Sequence, residues 1–210
     1  MSAKLVFAFA VVFFAAPALA SIVNGSFESG DDTAWSSFVP PGGALGVLGS
    51  AGFVGGEGGL WSPTHGNYFA LLQTDGPGSY TEMWQSFVAV GSSVLSFDVF
   101  FDAGDYLPYN DSAFAELSSD GGLTWATLWY RDVAMVGDLW HDGWTTVSQS
   151  LGAGAYILRF RIANDLDSEL ESTMGVDNVA LSIPIPAPQA ALLGAVGVSL
   201  LLAVRRRLAA

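Results

Sequence analysis

From Tyr80 onward the chain alternates apolar and polar side chains in short runs. Such runs cover Tyr80–Val90, Val94–Phe101, Ala113–Leu117, Thr124–Tyr130, Trp144–Ser150, Ala155–Ala163 and Met174–Leu181. A period of two sends successive side chains to opposite faces, so each run predicts a strand with one buried face. The run beginning at Ala155 shows this best, with Arg159 and Arg161 on one face and Leu158, Phe160 and Ile162 on the other. Turn-forming residues separate the runs: Asp75-Gly76-Pro77-Gly78, Asp120-Gly121-Gly122, Asp142-Gly143 and Gly152-Ala153-Gly154. Before them lies a Gly-rich stretch, Pro40 to Gly59, which reads as a long loop. About seven or eight short strands with no helical period predict an all-β fold, an antiparallel β-sandwich or jelly roll. No repeat of propeller or solenoid length is visible.

The pattern changes at both ends, which sets the domain plan. Residues 1–20 carry one early charge, Lys4, an apolar run from Leu5 to Ala16, and Ala18-Leu19-Ala20 before Ser21. That order predicts a cleavable signal peptide and makes signal peptidase a partner. Residues 21–182 form the predicted sandwich ectodomain. Residues 183–210 open with Ile183, Pro184, Ile185, Pro186, Ala187 and Pro188, whose prolines exclude helix and central strand. An uncharged segment, Ala190 to Val204, and the cluster Arg205, Arg206 and Arg207 follow. This predicts a short transmembrane helix in the inner membrane with its arginines cytoplasmic and the ectodomain outside.

Charge is very unevenly placed: all 20 acidic residues lie in the middle of the chain with only 3 basic ones, a net charge of −17 for residues 21–182. No basic stripe is present to replace phosphate counterions, so nucleic acid is excluded as a partner. The absence of cysteine excludes disulfides, thiolate metal sites and thiol nucleophiles. Carboxylate-rich surfaces suit calcium, which takes oxygen ligands.

The tail resembles the sorting tails of PEP-CTERM proteins, which exosortases process in Gram-negative bacteria: a proline-rich signature, one apolar helix and terminal arginines. Pro186-Ala187-Pro188 stands where Pro-Glu-Pro is usual, and Ile183-Pro184-Ile185-Pro186-Ala187 is closer to the VPLPA-CTERM variant. The resemblance implies an exosortase-type partner and a protein that moves from an inner-membrane precursor to the cell surface or the medium.

The middle of the chain resembles galactose-binding-like jelly rolls related to carbohydrate-binding modules. Asn24-Gly25-Ser26-Phe27-Glu28 with Trp35 looks like their first strand, His65-Gly66-Asn67-Tyr68 and Gln85-Ser86-Phe87 like middle strands, and Val176-Asp177-Asn178-Val179 like the closing strand. The resemblance implies a structural calcium where first and last strands meet, with Glu28 and Asp177 in the matching places. The competing reading leaves Glu28 in solvent and has Asp177 cap a turn.

Candidate chemistry is sparse. Ser118-Ser119-Asp120-Gly121-Gly122-Leu123-Thr124-Trp125 fits the Asp-box pattern, a hairpin device rather than a catalytic one. Asp102, Asp105, Asp111 and Glu116 read as a solvated loop or a second calcium site, with a glycosidase pair as the rival. Trp84, Trp125, Trp129, Tyr130, Trp140 and Trp144 include both core aromatics and possible sugar-stacking rings. Trp129, Tyr130, Trp140 and Trp144 are the preferred binding residues, because the first two are strand neighbours and the others flank a turn. His65 and His141 stand alone, and no Gly-x-Ser-x-Gly elbow is present. The sequence therefore favours a non-catalytic surface or secreted protein associated with extracellular polysaccharide or biofilm matrix. The alternatives are a polysaccharide hydrolase working through Asp/Glu pairs and a purely structural coat protein.

Overall fold

The computed structural model describes residues 21–74 and 76–183, so the predicted leader and the sorting tail beyond Ile183 lie outside the described residues. Twelve strands and one helical turn are assigned there: β1 Ser36–Phe38, β2 Ala44–Leu48, β3 Ala51–Gly52, β4 Leu60–Trp61, β5 Phe69–Gln73, β6 Thr81–Ala89, β7 Ser93–Asp102, β8 Ser112–Ser118, β9 Ala126–Asp132, α1 Val133–Val136, β10 Thr145–Leu151, β11 Gly154–Ala163 and β12 Thr173–Ser182. Two five-stranded antiparallel sheets face each other. The first has the order β1-β6-β11-β8-β9 and the second β10-β7-β12-β5-β2. This is the expected antiparallel sandwich, with β3 and β4 as a separate ribbon.

The alternation explains the layers. In β6, Met83, Gln85, Phe87 and Ala89 are buried, while Glu82, Trp84, Ser86 and Val88 point outward. Leu158, Phe160 and Ile162 of β11 join that core, and Leu95, Phe97, Val99 and Phe101 of β7 meet them from the second sheet. Phe97 packs edge-on against Phe160 with ring centroids 5.1 Å apart. Burial of these rings supplies the main folding force in a domain without disulfides.

The structure departs from the expected strands in the first part of the domain. Asn24–Phe27 is a tight turn, because Asn24 and Phe27 both adopt positive φ (52° and 54°), which extended strand cannot accommodate. The turn drives Phe27 fully into the core, where it stacks on Trp35 at 5.7 Å. The stretch 40–59 also contains structure: β2 pairs with β5 along its full length.

The outer face of the second sheet is not open. Trp61, Phe69 and Phe100 form a second apolar cluster there, with Phe53, Leu71 and Trp144 packed against it. Trp61 lies flat on Phe100 at 3.8 Å. Gly175 of β12 sits between Leu71 and Phe100 in the sheet, and a Cβ at that position would overlap the Phe100 ring. Gly175→Ala is therefore expected to destabilise the domain by about 3 kcal/mol, measured by denaturant unfolding.

Carboxylates hold the covering segment down. Asp102, fully buried, accepts from the Val54 and Gly55 backbone N–H groups (2.9 and 2.8 Å) and from the Trp61 indole (2.8 Å). Asp98 accepts from the hydroxyls of Thr64 (2.7 Å) and Thr146 (2.6 Å). With Asp177 and Glu28, described below, they form a series of anions bound by N–H and O–H donors along residues 54–68.

Candidate functional site: an aromatic groove on the first sheet

Strand register, rather than any one motif, assembles the outer face of the first sheet. Residues paired across antiparallel strands share a face, and two rows result. One runs Ser36, Trp84, Arg159, Glu116, Thr127; the other runs Phe38, Glu82, Arg161, Phe114, Tyr130. Across strands about 4.8 Å apart, each row sets a pair of opposite charges beside aromatic groups over much of the sheet's width.

The charges in the two rows are mutually satisfied. Glu116 accepts from Arg159 Nε and Nη2 (3.1 and 2.7 Å) and from Arg161 Nη2 (3.0 Å). Arg159 Nη1 reaches Glu82 at 3.5 Å. The guanidinium faces are used as well: Arg159 lies over the Trp125 ring at 3.8 Å, and Arg161 over Tyr80 and Phe114 at 4.3 and 4.8 Å.

Trp125 reaches this face because the Asp-box hairpin carries it there. Asp120 Oδ1 accepts from the Thr124 N–H (2.9 Å) and from the Ser118 hydroxyl (2.8 Å), while Oδ2 accepts from the Thr124 hydroxyl (2.5 Å). These bonds, the Thr124 hydroxyl first, hold the Asp120 carboxyl down at about 2. Gly121 and Gly122 take positive φ, as the turn requires. The hairpin overhangs two adjoining depressions of about 320 and 250 Å³. One is lined by Glu82, Trp84, Trp125 and Arg159, the other by Phe87, Val88, Ala155 and Tyr156; Gly121 and Ile157 border both.

Of the four aromatic residues preferred from sequence, only Tyr130 lies on this face, at its far edge, with its hydroxyl donating to Asp132 at 2.6 Å. Burial, with that bond, pushes its phenol up to about 12. Trp129 is 6% exposed and turned into the core, which removes it as a platform. Trp144 is held edge-on over Phe100 (4.6 Å), its indole donating to the Ser62 carbonyl at 3.0 Å, so it belongs to the second apolar cluster. Trp140 is half-exposed and stacked on His141, away from the groove. Trp84 and Trp125, outside the four residues preferred from sequence, are the indoles that line the groove.

Glu28 and Asp177 clasp one segment from its two ends. Glu28 accepts from the Asn67 N–H (2.7 Å), the Asn67 amide (3.0 Å) and the Tyr68 N–H (3.1 Å). Asp177 accepts from the N–H groups of Thr64 (2.8 Å), His65 (2.9 Å) and Asn178 (2.6 Å). As arranged, both carboxylates bind backbone N–H donors. No group of three or more His, Asp and Glu side chains among the described residues gathers as a metal cage.

The other acidic candidates are separated. Asp102 lies under the covering segment, Glu116 is in the groove between two arginines, and Asp105 and Asp111 are buried. Asp111 accepts from the Ser172 hydroxyl (2.7 Å) and the Asp165 N–H (3.0 Å). Burial nevertheless pushes its carboxyl up to about 6, with Asp105 and Asp167 adding repulsion. An unfolded Asp titrates near ~3.9, so between these values the folded state keeps a proton that the unfolded state has lost. The contribution of Asp111 to stability is thus fullest below about pH 4, falls as pH rises through about 6, and levels beyond, a loss on the order of 3 kcal/mol. Asp105 and Asp177, also raised by burial, act in the same direction. Thermal melts from pH 4 to 8 check this, with Asp111→Asn expected to flatten the profile.

No protein-family model matches the sequence, and no curated protein matches it. Among the described residues no helix is long and apolar enough to cross a membrane. Solved structures similar to this chain include TmCBM61 in complex with β-1,4-galactotriose, at 14% identity over 76% of this chain and 95% of that one, with a TM-score of 0.45. A family 16 carbohydrate-binding module is 15% identical over 77% and 99% of the two chains, with a TM-score of 0.43. The K3 cleaved adhesin domain of Lys-gingipain from Porphyromonas gingivalis is 16% identical over 77% and 97%, with a TM-score of 0.47.

Proposed function

We propose that residues 21–182 form an exported, non-catalytic domain that binds an extracellular polysaccharide chain along the outer face of the first sheet. The observation that carries this reading is the pair Trp84 and Trp125 flanking Arg159 in an open groove. Indole faces stack against the C–H faces of sugar rings, and fixed polar groups beside them orient the hydroxyls. The two adjoining depressions give room for several consecutive sugar units.

A hydrolase reading has less support. A glycosidase needs two carboxyls flanking one bond in a site open to water. Here Glu116 is committed to two guanidiniums, and Asp105 and Asp111 are buried away from solvent. On the reading of the two ends, the domain is exported by the leader and sorted by an exosortase-type enzyme to the cell surface or the medium.

The test is binding and turnover measured together on the purified protein against an array of oligosaccharides and polysaccharides. Retention of a glycan with no release of reducing ends is expected. Release of reducing ends supports the hydrolase instead, and absence of any affinity supports a structural coat. The sorting step is read separately from the intact mass of the cell-surface form, which is expected to lack the segment beyond the proline-rich signature.

A further inference from the structure

We infer, on the reading just given, that the chain held in the groove is a neutral polysaccharide, one without carboxylate, sulfate or phosphate groups. The recognition of an anionic chain needs a cation free to pair with it, and the described residues hold none. Their three arginines are all committed. Arg159 and Arg161 share Glu116, with Glu82 beside Arg159. Arg131 pairs with Asp142 outside the groove. Two arginines and two glutamates leave the groove itself without net charge.

The surroundings act in the same direction. Residues 21–182 carry a net charge of −17, and within a Debye length of ~8 Å that field opposes an approaching polyanion. Burial fixes the groove's pairing: Glu116 is 5% exposed, and the Arg159 and Arg161 side chains are 16% and 21% exposed. A ligand carboxylate would have to displace Glu116 and leave it buried without a partner, which is costly. Hydroxyl groups ask for no such exchange. Each both donates and accepts, so it can bond to a spare guanidinium N–H or a carboxylate lone pair while the pairs stay closed. The aromatic faces of Trp84 and Trp125 take the ring's C–H surface, which carries no charge in either class.

The experiment uses the full chain and immobilised polysaccharides of both classes: galactan, xylan and β-glucan as neutral probes, polygalacturonate, alginate and dextran sulfate as anionic ones. Methyl-esterified polygalacturonate serves as the neutral twin of the same backbone. Retention of at least one neutral probe is expected, changing less than about twofold between about 50 and 500 mM salt, with no retention of an anionic probe. Glu82→Gln, which takes one of the two carboxylates from Arg159, should create weak, salt-sensitive retention of polygalacturonate that the parent protein lacks. The inference is overturned if the parent protein retains an anionic probe through Trp84 and loses it about tenfold or more as salt rises; the site reading then stands. Retention of neither class overturns the site reading, and this inference with it.

Discussion

Trp84→Ala is expected to weaken binding of the retained polysaccharide at least ~10-fold, and Trp84→Ala with Trp125→Ala to abolish detectable retention. Both side chains stand on the outer face of the first sheet and are only partly buried, so their removal opens no cavity in the core. The two losses differ in kind. Trp84 projects from β6 beside Arg159 and lines the groove. Trp125 also supports the Arg159 guanidinium at 3.8 Å, so Trp125→Phe should recover part of the affinity by restoring a flat partner. Trp140→Ala is the control: the side chain is 50% exposed, yet it stacks on His141 at the opposite sheet, and its loss should leave affinity unchanged. Calorimetric titration and a thermal melt of each variant separate lost binding from lost folding.

Asp102→Ala is expected to have the largest effect on stability, about 3–5 kcal/mol, read as a lower unfolding midpoint. The carboxylate is fully buried, with the Val54 and Gly55 N–H groups and the Trp61 indole all donating to it. Alanine leaves three donors without an acceptor and frees the segment that covers Phe100. Fluorescence from Trp61 should shift to the red at denaturant concentrations where the rest of the fold still holds. Asp102→Asn should lie between, since its amide oxygen can still accept while its NH₂ faces a donor.

How much of this was legible in the sequence depends on whether a strand has one covered face or two. Tyr80–Val90 and Ala155–Ala163 alternate cleanly and coincide with β6 and β11 within a residue at each end. β5 escaped notice because its outward Phe69 and Leu71 lie under the second apolar cluster, so the run Phe69–Leu72 shows no alternation. β2 is a sheet edge of small and apolar residues, mostly half-exposed, and reads as loop.

The site was legible in phase but not in choice. Trp84 falls in step with Glu82 and Ser86, the outward set of β6, and Arg159 in step with Arg161. Pairing these two phases across the strands would have found the groove. Trp129 misled for a definite reason. The β8–β9 register slips between Ala115 and Glu116, setting Thr127 opposite Glu116 but Trp129 opposite Ala115. That one-residue bulge turns Trp129 into the core, and no local pattern announces it. The roles of Asp102 and Asp98 were also invisible, since their donors come from residues far away in the chain.

The measurement that tests the account most directly is an indole N–H NMR titration of the protein, which has seven tryptophans, with an oligosaccharide of the retained glycan. The groove predicts shifts concentrated on Trp84 and Trp125, with Trp35, Trp61, Trp129, Trp140 and Trp144 unmoved and the oligosaccharide intact at the end. Shifts at Trp140 or Trp144 with Trp84 and Trp125 silent would contradict it, as would cleavage of the oligosaccharide during the titration.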